Sequence, residues 1–163
     1  GALKVLQMIF SYEYLWIQIR VKGGAYGCMC SFSDQGDSMF VTYRDPNLSE
    51  SYKVYDEAAD YVADFDADDR DMKKYIIGTI GSMDMPMEAV DMGARSFHAY
   101  FLGKTEADLQ KVRDQVLSCT QEDIRALAPI VKAVVEAGNR CCIGNEEKID
   151  QNKEYFDEVK HVL

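Results

Sequence analysis

The fourteen residues Tyr14-Leu15-Trp16-Ile17-Gln18-Ile19-Arg20-Val21-Lys22-Gly23-Gly24-Ala25-Tyr26-Gly27 decide how this chain is organised. They run from an amphipathic helix through a glycine hinge into a strand. Arg20 and Lys22 fall in the last helical turn, where cations suit the negative helix end. Gly23 and Gly24 permit the positive φ that ends a helix, and Tyr26 opens the following strand. Such a hinge can aim Arg20 and Tyr26 at one ligand oxygen, which makes a recognition device and not a complete catalyst.

Working back from the hinge, Ala2 to Ile19 reads as a helix. Leu3, Leu6, Phe10, Tyr14 and Ile17 form one stripe, and Val5, Ile9 and Trp16 widen it until little polar face remains, so the helix is expected to be buried on several sides. Working forward, Tyr26 to Ser33 and Met39 to Arg44 read as two strands around the turn-rich loop Ser33-Asp34-Gln35-Gly36-Asp37. Asp45-Pro46-Asn47 stops the second strand and starts a helix through Tyr52, Tyr55, Ala59 and Val62, capped by Asn47 or Ser49 and ending at Phe65.

Further helices follow. One is capped by Asp66, with Asp68 and Asp69 in its first turn and Met72, Tyr75, Ile76 and Ile80 along it. Another lies between Pro86 and Gly103, with Met92, Phe97, Tyr100, Phe101 and Leu102 as its packing face. Thr105 and Thr120 each precede a carboxylate three residues on, Asp108 and Asp123, as in capping boxes, and Pro129 is expected to divide or kink the second of these helices. Arg140 to Ile143 reads as a short strand, and Glu146 to Leu163 as one or two exposed terminal helices. The order helix, hairpin, helices, strand gives an α+β class with a few-stranded, mostly antiparallel sheet. Three strands are few for so many helices, so further strands are expected before Gly1. Helices without sheet partners would expose an apolar patch, which predicts self-association of the piece.

With 163 residues, 47% of them hydrophobic, the chain is long enough for one core. The net charge of −10 argues against nucleic acid as a partner, because phosphate binding needs clustered Lys and Arg. A cationic peptide is the better electrostatic match, although an acidic balance also simply keeps a protein soluble. Gly1 to Phe10 carries a lysine inside a helical apolar pattern and reads as neither a signal peptide nor a membrane span. The five cysteines, Cys28, Cys30, Cys119, Cys141 and Cys142, form no spaced framework and suit a reducing compartment. No Cys-x-x-Cys pair exists, so buried strand thiols are expected in place of a zinc site.

The opening stretch resembles a Leu-Trp-x-x-x-Arg-x-Lys-Gly-Gly-Ala-Tyr-Gly sequence in the C-terminal domain of the presequence-protease branch of the pitrilysin/insulin-degrading-enzyme metallopeptidases. Tyr43-Arg44-Asp45-Pro46-Asn47-Leu48, Phe65-Asp66-Ala67-Asp68, Lys74 to Ile80, Gly93-Ala94-Arg95-Ser96, Asp123 to Pro129 and Ile143-Gly144-Asn145-Glu146 resemble the same tail, in order. The resemblance implies a partial metallopeptidase domain of the LuxS/MPP-like type, with residues 1–163 as one C-terminal, fourth-domain-like piece truncated at its N-terminus. It implies a parent that takes unstructured peptides into a closed chamber and cuts them with zinc. The zinc would be held by a His-x-x-Glu-His helix in the N-terminal half of the same protease, which would be this piece's partner.

That motif is absent here, and the histidines His98 and His161 are far apart. The piece is therefore expected to bind no metal and to be inactive alone. In the family an arginine and a tyrosine of the final domain engage the substrate near the scissile bond; they match Arg20 and Tyr26, which would clamp peptide and stabilise its oxyanion. The bland alternative has Arg20 capping a helix end and Tyr26 in the core. A bacterial cytoplasmic compartment is expected, and relatives also occur in organelles. The alternative from another class is a zinc-less interaction or assembly subunit of the same superfamily.

Other motifs weigh less. Gly23-Gly24 lacks the strand-loop-helix order and the Lys-Ser/Thr pair of a phosphate loop. Asp64 to Asp68 begins like a calcium loop, but Asp69 and Tyr75 occupy the positions that need glycine and glutamate. His98 reads as a hydrogen-bonded structural histidine on an apolar helix face. Met83, Met85, Met87 and Met92 suit ordinary packing around Pro86, or an adaptable peptide surface.

Overall fold

The first helix is the axis of the molecule. In the computed structural model, which describes residues 1–33 and 35–161, α1 spans Ala2–Ile9 and continues without a break through two π-helical stretches, Phe10–Tyr14 and Trp16–Lys22. It ends at Lys22, so Arg20 and Lys22 do occupy its last turn. The wider coil places residues four apart over one another: the rings of Phe10 and Tyr14 lie 5.8 Å apart. Val5, Leu6, Ile9, Phe10, Leu15 and Ile19 are buried almost completely, as a helix apolar on most sides requires.

A two-stranded antiparallel sheet follows, β1 (Gly27–Phe32) paired with β2 (Ser38–Tyr43). Alternation turns Cys28, Cys30, Phe32 and Phe40 inward onto the first helix, where Phe10 meets Phe32, Phe40 and Tyr61 at centroid distances of 5.7 to 6.3 Å. Met29, Met39 and Tyr43 are left exposed on the outer face. A run of helices then wraps the axis: α2 (Leu48–Asp56), α3 (Ala58–Ala63), α4 (Asp69–Met83), α5 (Ala89–Phe101), α6 (Glu106–Leu117), α7 (Gln121–Arg125) and α8 (Ala128–Glu136). Val62, Val116, Ile124 and Val131 complete the core from α3, α6, α7 and α8. The class is α+β. No helix among the described residues is long and apolar enough to cross a membrane.

Both capping boxes form: Thr105 and Thr120 accept from the backbone N–H of Asp108 and Asp123, whose carboxylates accept in return. Pro129 sits in the first turn of α8 and separates it from α7. Other boundaries differ from the expectation. The cap of α4 is Asp68, which accepts from the Asp71 N–H at 2.9 Å. Asp66 is drawn away: the Arg125 guanidinium lies 3.6 Å from its carboxylate and donates through Nε to the Phe65 carbonyl at 2.7 Å. Asn47 precedes α2 but donates its side chain elsewhere, as described below.

Arg140 to Ile143 forms no strand. It is fixed instead by the Arg140 guanidinium, which bonds Asp56 at 2.9 Å and lies over the Tyr52 and Tyr155 rings at 5.2 and 5.3 Å. The terminal segment supplies α9 (Glu146–Asp150) and one 3₁₀ turn, Lys153–Tyr155; the rest of the expected helical span through His161 is not helical, and Val162 and Leu163, like Asp34 of the hairpin loop, lie outside the described residues. The apolar residues of α5 are expected to pack, yet α5 has no buried residue: Val90, Phe97, Tyr100 and Phe101 face outward. They form an exposed apolar patch.

Candidate functional site

The hinge is where the first helix becomes the hairpin, and its geometry follows from backbone accounting. The widened coil closes with the Gly23 N–H donating to the Gln18 carbonyl at 3.1 Å, five residues back. The Gly24 N–H donates to the Arg20 carbonyl at 3.0 Å, and the Ala25 N–H to the Ile19 carbonyl at 3.1 Å. The two glycines differ in kind. Gly24 alone has positive φ, +77°, whereas Gly23 remains helical at φ −81° and is needed for space, since a Cβ there would stand 2.5 Å from the Ile19 carbonyl oxygen.

The turn after β2 braces this hinge. Asn47 donates its side-chain amide to the Gly23 carbonyl at 2.5 Å, and Asp45 accepts from the Asn47 N–H and the Ser51 hydroxyl. Thus the segments around Arg20 and Tyr43, some twenty residues apart in the chain, form one substructure. Arg20 lies over Trp16, its guanidinium carbon 4.0 Å from the ring centroid. Its charge also reaches Cys28, whose thiol burial pushes above the ordinary range and Arg20 partly restores.

Tyr26 stands just before β1 and anchors its backbone by donating to the Tyr43 and Arg44 carbonyls at 3.1 and 3.3 Å. Its side chain is not in the core: it is 66% exposed, and no described group hydrogen-bonds its hydroxyl. The ring meets Tyr43 edge-on at 5.8 Å. Arg20 and Tyr26 do not touch each other among the described residues; they flank one braced hinge from the helix side and the strand side.

A further cation belongs to this surface. Arg44 has φ +48° and lies 5.3 Å from the Tyr43 ring and 5.8 Å from that of Tyr26. Tyr43-Arg44-Asp45 is visible in the sequence only as a strand end. The positive φ that swings Arg44 back toward Tyr26 has no signature in a non-glycine residue. The hinge surface therefore holds two guanidinium groups and an exposed phenol, all of them donors able to meet a developing oxyanion.

Metal-ligating residues are not assembled. No three His, Cys, Asp or Glu side chains among the described residues come together as a possible metal site. His161 lies 3.5 Å from Glu146, and His98 lines a cavity bordered by the first helix, α4, α5 and α6. Contrary to the expectation of a structural histidine, His98 is exposed and no described group hydrogen-bonds its ring. The described donors are too scattered to hold zinc. Of the methionines around Pro86, Met83 packs against the core while Met85, Met87 and Met92 are exposed.

The chain is similar to known proteins along its length. The family model of the PreP C-terminal domain matches residues 1–145. Protein HypA of Clostridium perfringens is 41% identical over 163 residues, all of this chain and 17% of that protein. Presequence protease 1, chloroplastic/mitochondrial, of Arabidopsis thaliana is 33% identical over 167 residues, all of this chain and 16% of that protein. The mitochondrial presequence protease of Aspergillus fumigatus is 34% identical over 148 residues, 90% of this chain and 13% of that protein. The chain spans about a sixth or less of the length of these relatives. A family model over most of its residues and relatives aligned along its whole length show that the chain belongs to the PreP C-terminal domain family.

Proposed function

We propose that this chain is the substrate-holding C-terminal part of a zinc-dependent endopeptidase that degrades unstructured peptides inside a closed chamber. The bond-breaking groups, zinc included, would belong to the N-terminal half of the same protease, and the chain alone is inactive. Arg20 and Tyr26 grip a peptide carbonyl near the scissile bond. As the tetrahedral intermediate forms, negative charge grows on that oxygen, and a guanidinium with a phenol donates more strongly to it than to the ground-state carbonyl. Trp16 spreads beneath Arg20 and fixes its approach, and Arg44 adds positive potential beside Tyr26. A reducing compartment, bacterial cytoplasm or organelle matrix, suits the free cysteines.

The single observation that carries this reading is the Tyr26 side chain, exposed and with its hydroxyl unengaged, on a hinge braced by Asn47. An aromatic residue serving only the core would not be presented this way. The test is Tyr26→Phe in the natural-length protein. Turnover of an unstructured peptide is expected to fall by about 10²–10³, with KM changed far less. Unchanged kcat in a folded variant of unchanged zinc content would overturn the assignment.

A further inference from the structure

Arg44 is the one described residue other than glycine with positive φ, +48°. Sterics disfavour that region for a side chain, and glycine or asparagine would take it more readily. The turn itself gives arginine no advantage there. Asp45 and Asn47 make the turn's side-chain hydrogen bonds, to the Asn47 N–H, the Ser51 hydroxyl and the Gly23 carbonyl, and Arg44 enters no ion pair among the described residues.

What the conformation does secure is the place of the guanidinium. It lies within cation–π range of two rings, 5.3 Å from Tyr43 and 5.8 Å from Tyr26, and those rings meet edge-on at 5.8 Å. The Arg44 carbonyl, with that of Tyr43, also accepts from the Tyr26 N–H. One residue thus holds Tyr26 twice, its backbone through a carbonyl and its ring through a guanidinium.

Tyr26 depends on such a hold. Its side chain is 66% exposed and no described group hydrogen-bonds its hydroxyl, so neither core packing nor a hydroxyl partner fixes the ring. A donor that stabilises an oxyanion works by being aimed before charge develops, and a ring free to change rotamer loses that advantage. Backbone strain kept at a residue that touches the donor belongs with that aim.

We infer that Arg44 is a positioning residue: its guanidinium, with the Tyr43 ring, fixes the Tyr26 ring so that the phenol is aimed at the substrate carbonyl before reaction. The inference rests on the reading of Tyr26 as an oxyanion donor and deepens it. Arg44 acts through Tyr26 and not by touching the peptide.

The test is a double-mutant cycle of Tyr26→Phe and Arg44→Asn in the natural-length protein, with a fluorescein-labelled unstructured peptide. Asparagine tolerates the left-handed region, so this replacement keeps the turn and removes the guanidinium. Arg44→Asn alone is expected to lower kcat about fivefold to tenfold, the scale of one cation–π contact, with KM changed far less. With a chelator present to halt turnover, anisotropy should show peptide affinity changed by less than about twofold, because the aim matters to the transition state and not to the ground state. In the Tyr26→Phe background, which has no hydroxyl to aim, Arg44→Asn should change kcat by less than about twofold. Equal losses in both backgrounds would mean that Arg44 acts on the substrate directly, and would overturn this inference alone. So would an unchanged kcat for Arg44→Asn while Tyr26→Phe is impaired, or a loss of peptide affinity as large as the loss of kcat. An unchanged kcat for Tyr26→Phe overturns the donor reading and this inference with it.

Discussion

Gly23→Ala tests the hinge because two physical effects oppose each other and the sign of the result decides between them. Gly23 has helical φ and ψ, −81° and −18°. On conformational grounds alone, alanine there would stabilise by about 0.4–1 kcal/mol, since the unfolded chain loses freedom. The space argues the other way: the new Cβ would stand 2.5 Å from the Ile19 carbonyl oxygen and 3.2 Å from that of Gln18. Relieving that overlap means moving backbone that carries the Gly23-to-Gln18 and Ala25-to-Ile19 hydrogen bonds, a cost of about 1–3 kcal/mol for overpacking. The net expectation is destabilisation by about 1–2 kcal/mol. Urea unfolding of the 163-residue chain at low concentration measures it, as a lower midpoint at unchanged slope. Gly24→Ala should cost about 1–2 kcal/mol for a different reason, its φ of +77°, with Pro46 no nearer than 3.9 Å. Asn tolerates that conformation, so Gly24→Asn should recover much of the loss, whereas Gly23→Asn should not. A rise in the Gly23→Ala midpoint would refute the close approach and, with it, the account of how the hinge is built.

Other expectations follow from single features. Phe10→Ala removes a fully buried ring contacting four aromatic neighbours and should cost about 3–5 kcal/mol in the same unfolding measurement. Thr105→Ala and Thr120→Ala each delete a capping-box acceptor and should cost about 1 kcal/mol apiece, additively because the sites are separate. Burial pushes the Cys30 thiol up to about 12 and Cys119 up to about 11, from an ordinary 9.0, so the unfolded chain releases these protons first. Stability should therefore hold below about pH 9 and decline as pH rises toward 11 and 12, read from unfolding midpoints across that window. At about pH 8 a thiol reagent should label exposed Cys141 well before either of them. The outward apolar face of α5 should drive self-association of the chain by itself; sedimentation should show it, Phe97→Glu with Phe101→Glu should abolish it, and a monodisperse wild-type monomer at high concentration would contradict it.

Local chemistry made much of the fold legible in advance. Capping boxes at Thr105 and Thr120, the hairpin around Gly36 and the buried stripe of the first helix rest on contacts within a few residues, so sequence spacing suffices to find them. Arg20 and Tyr26 were likewise marked by a helix end, two glycines and a strand start. Where long-range partners set the outcome, the sequence misled. Asp66 has the composition of a cap, but Arg125, far along the chain, holds it and its neighbour toward α7 and leaves the role to Asp68. Arg140 to Ile143 has a strand's composition but pairs with none; Asp56, Tyr52 and Tyr155 hold it by one guanidinium. The α5 stripe is amphipathic on paper and unpartnered in space.

That a helix, a glycine hinge and a hairpin put an arginine and a tyrosine on either side of one turn could be read from the residues alone, because each step depends on backbone preferences of adjacent positions. Long-range packing was needed to turn Tyr26 to solvent, to brace the Gly23 carbonyl with Asn47, and to bring Arg44 onto the same surface. Exposure and charge pairing are properties of everything packed around a side chain, and that packing is set by residues tens of positions away.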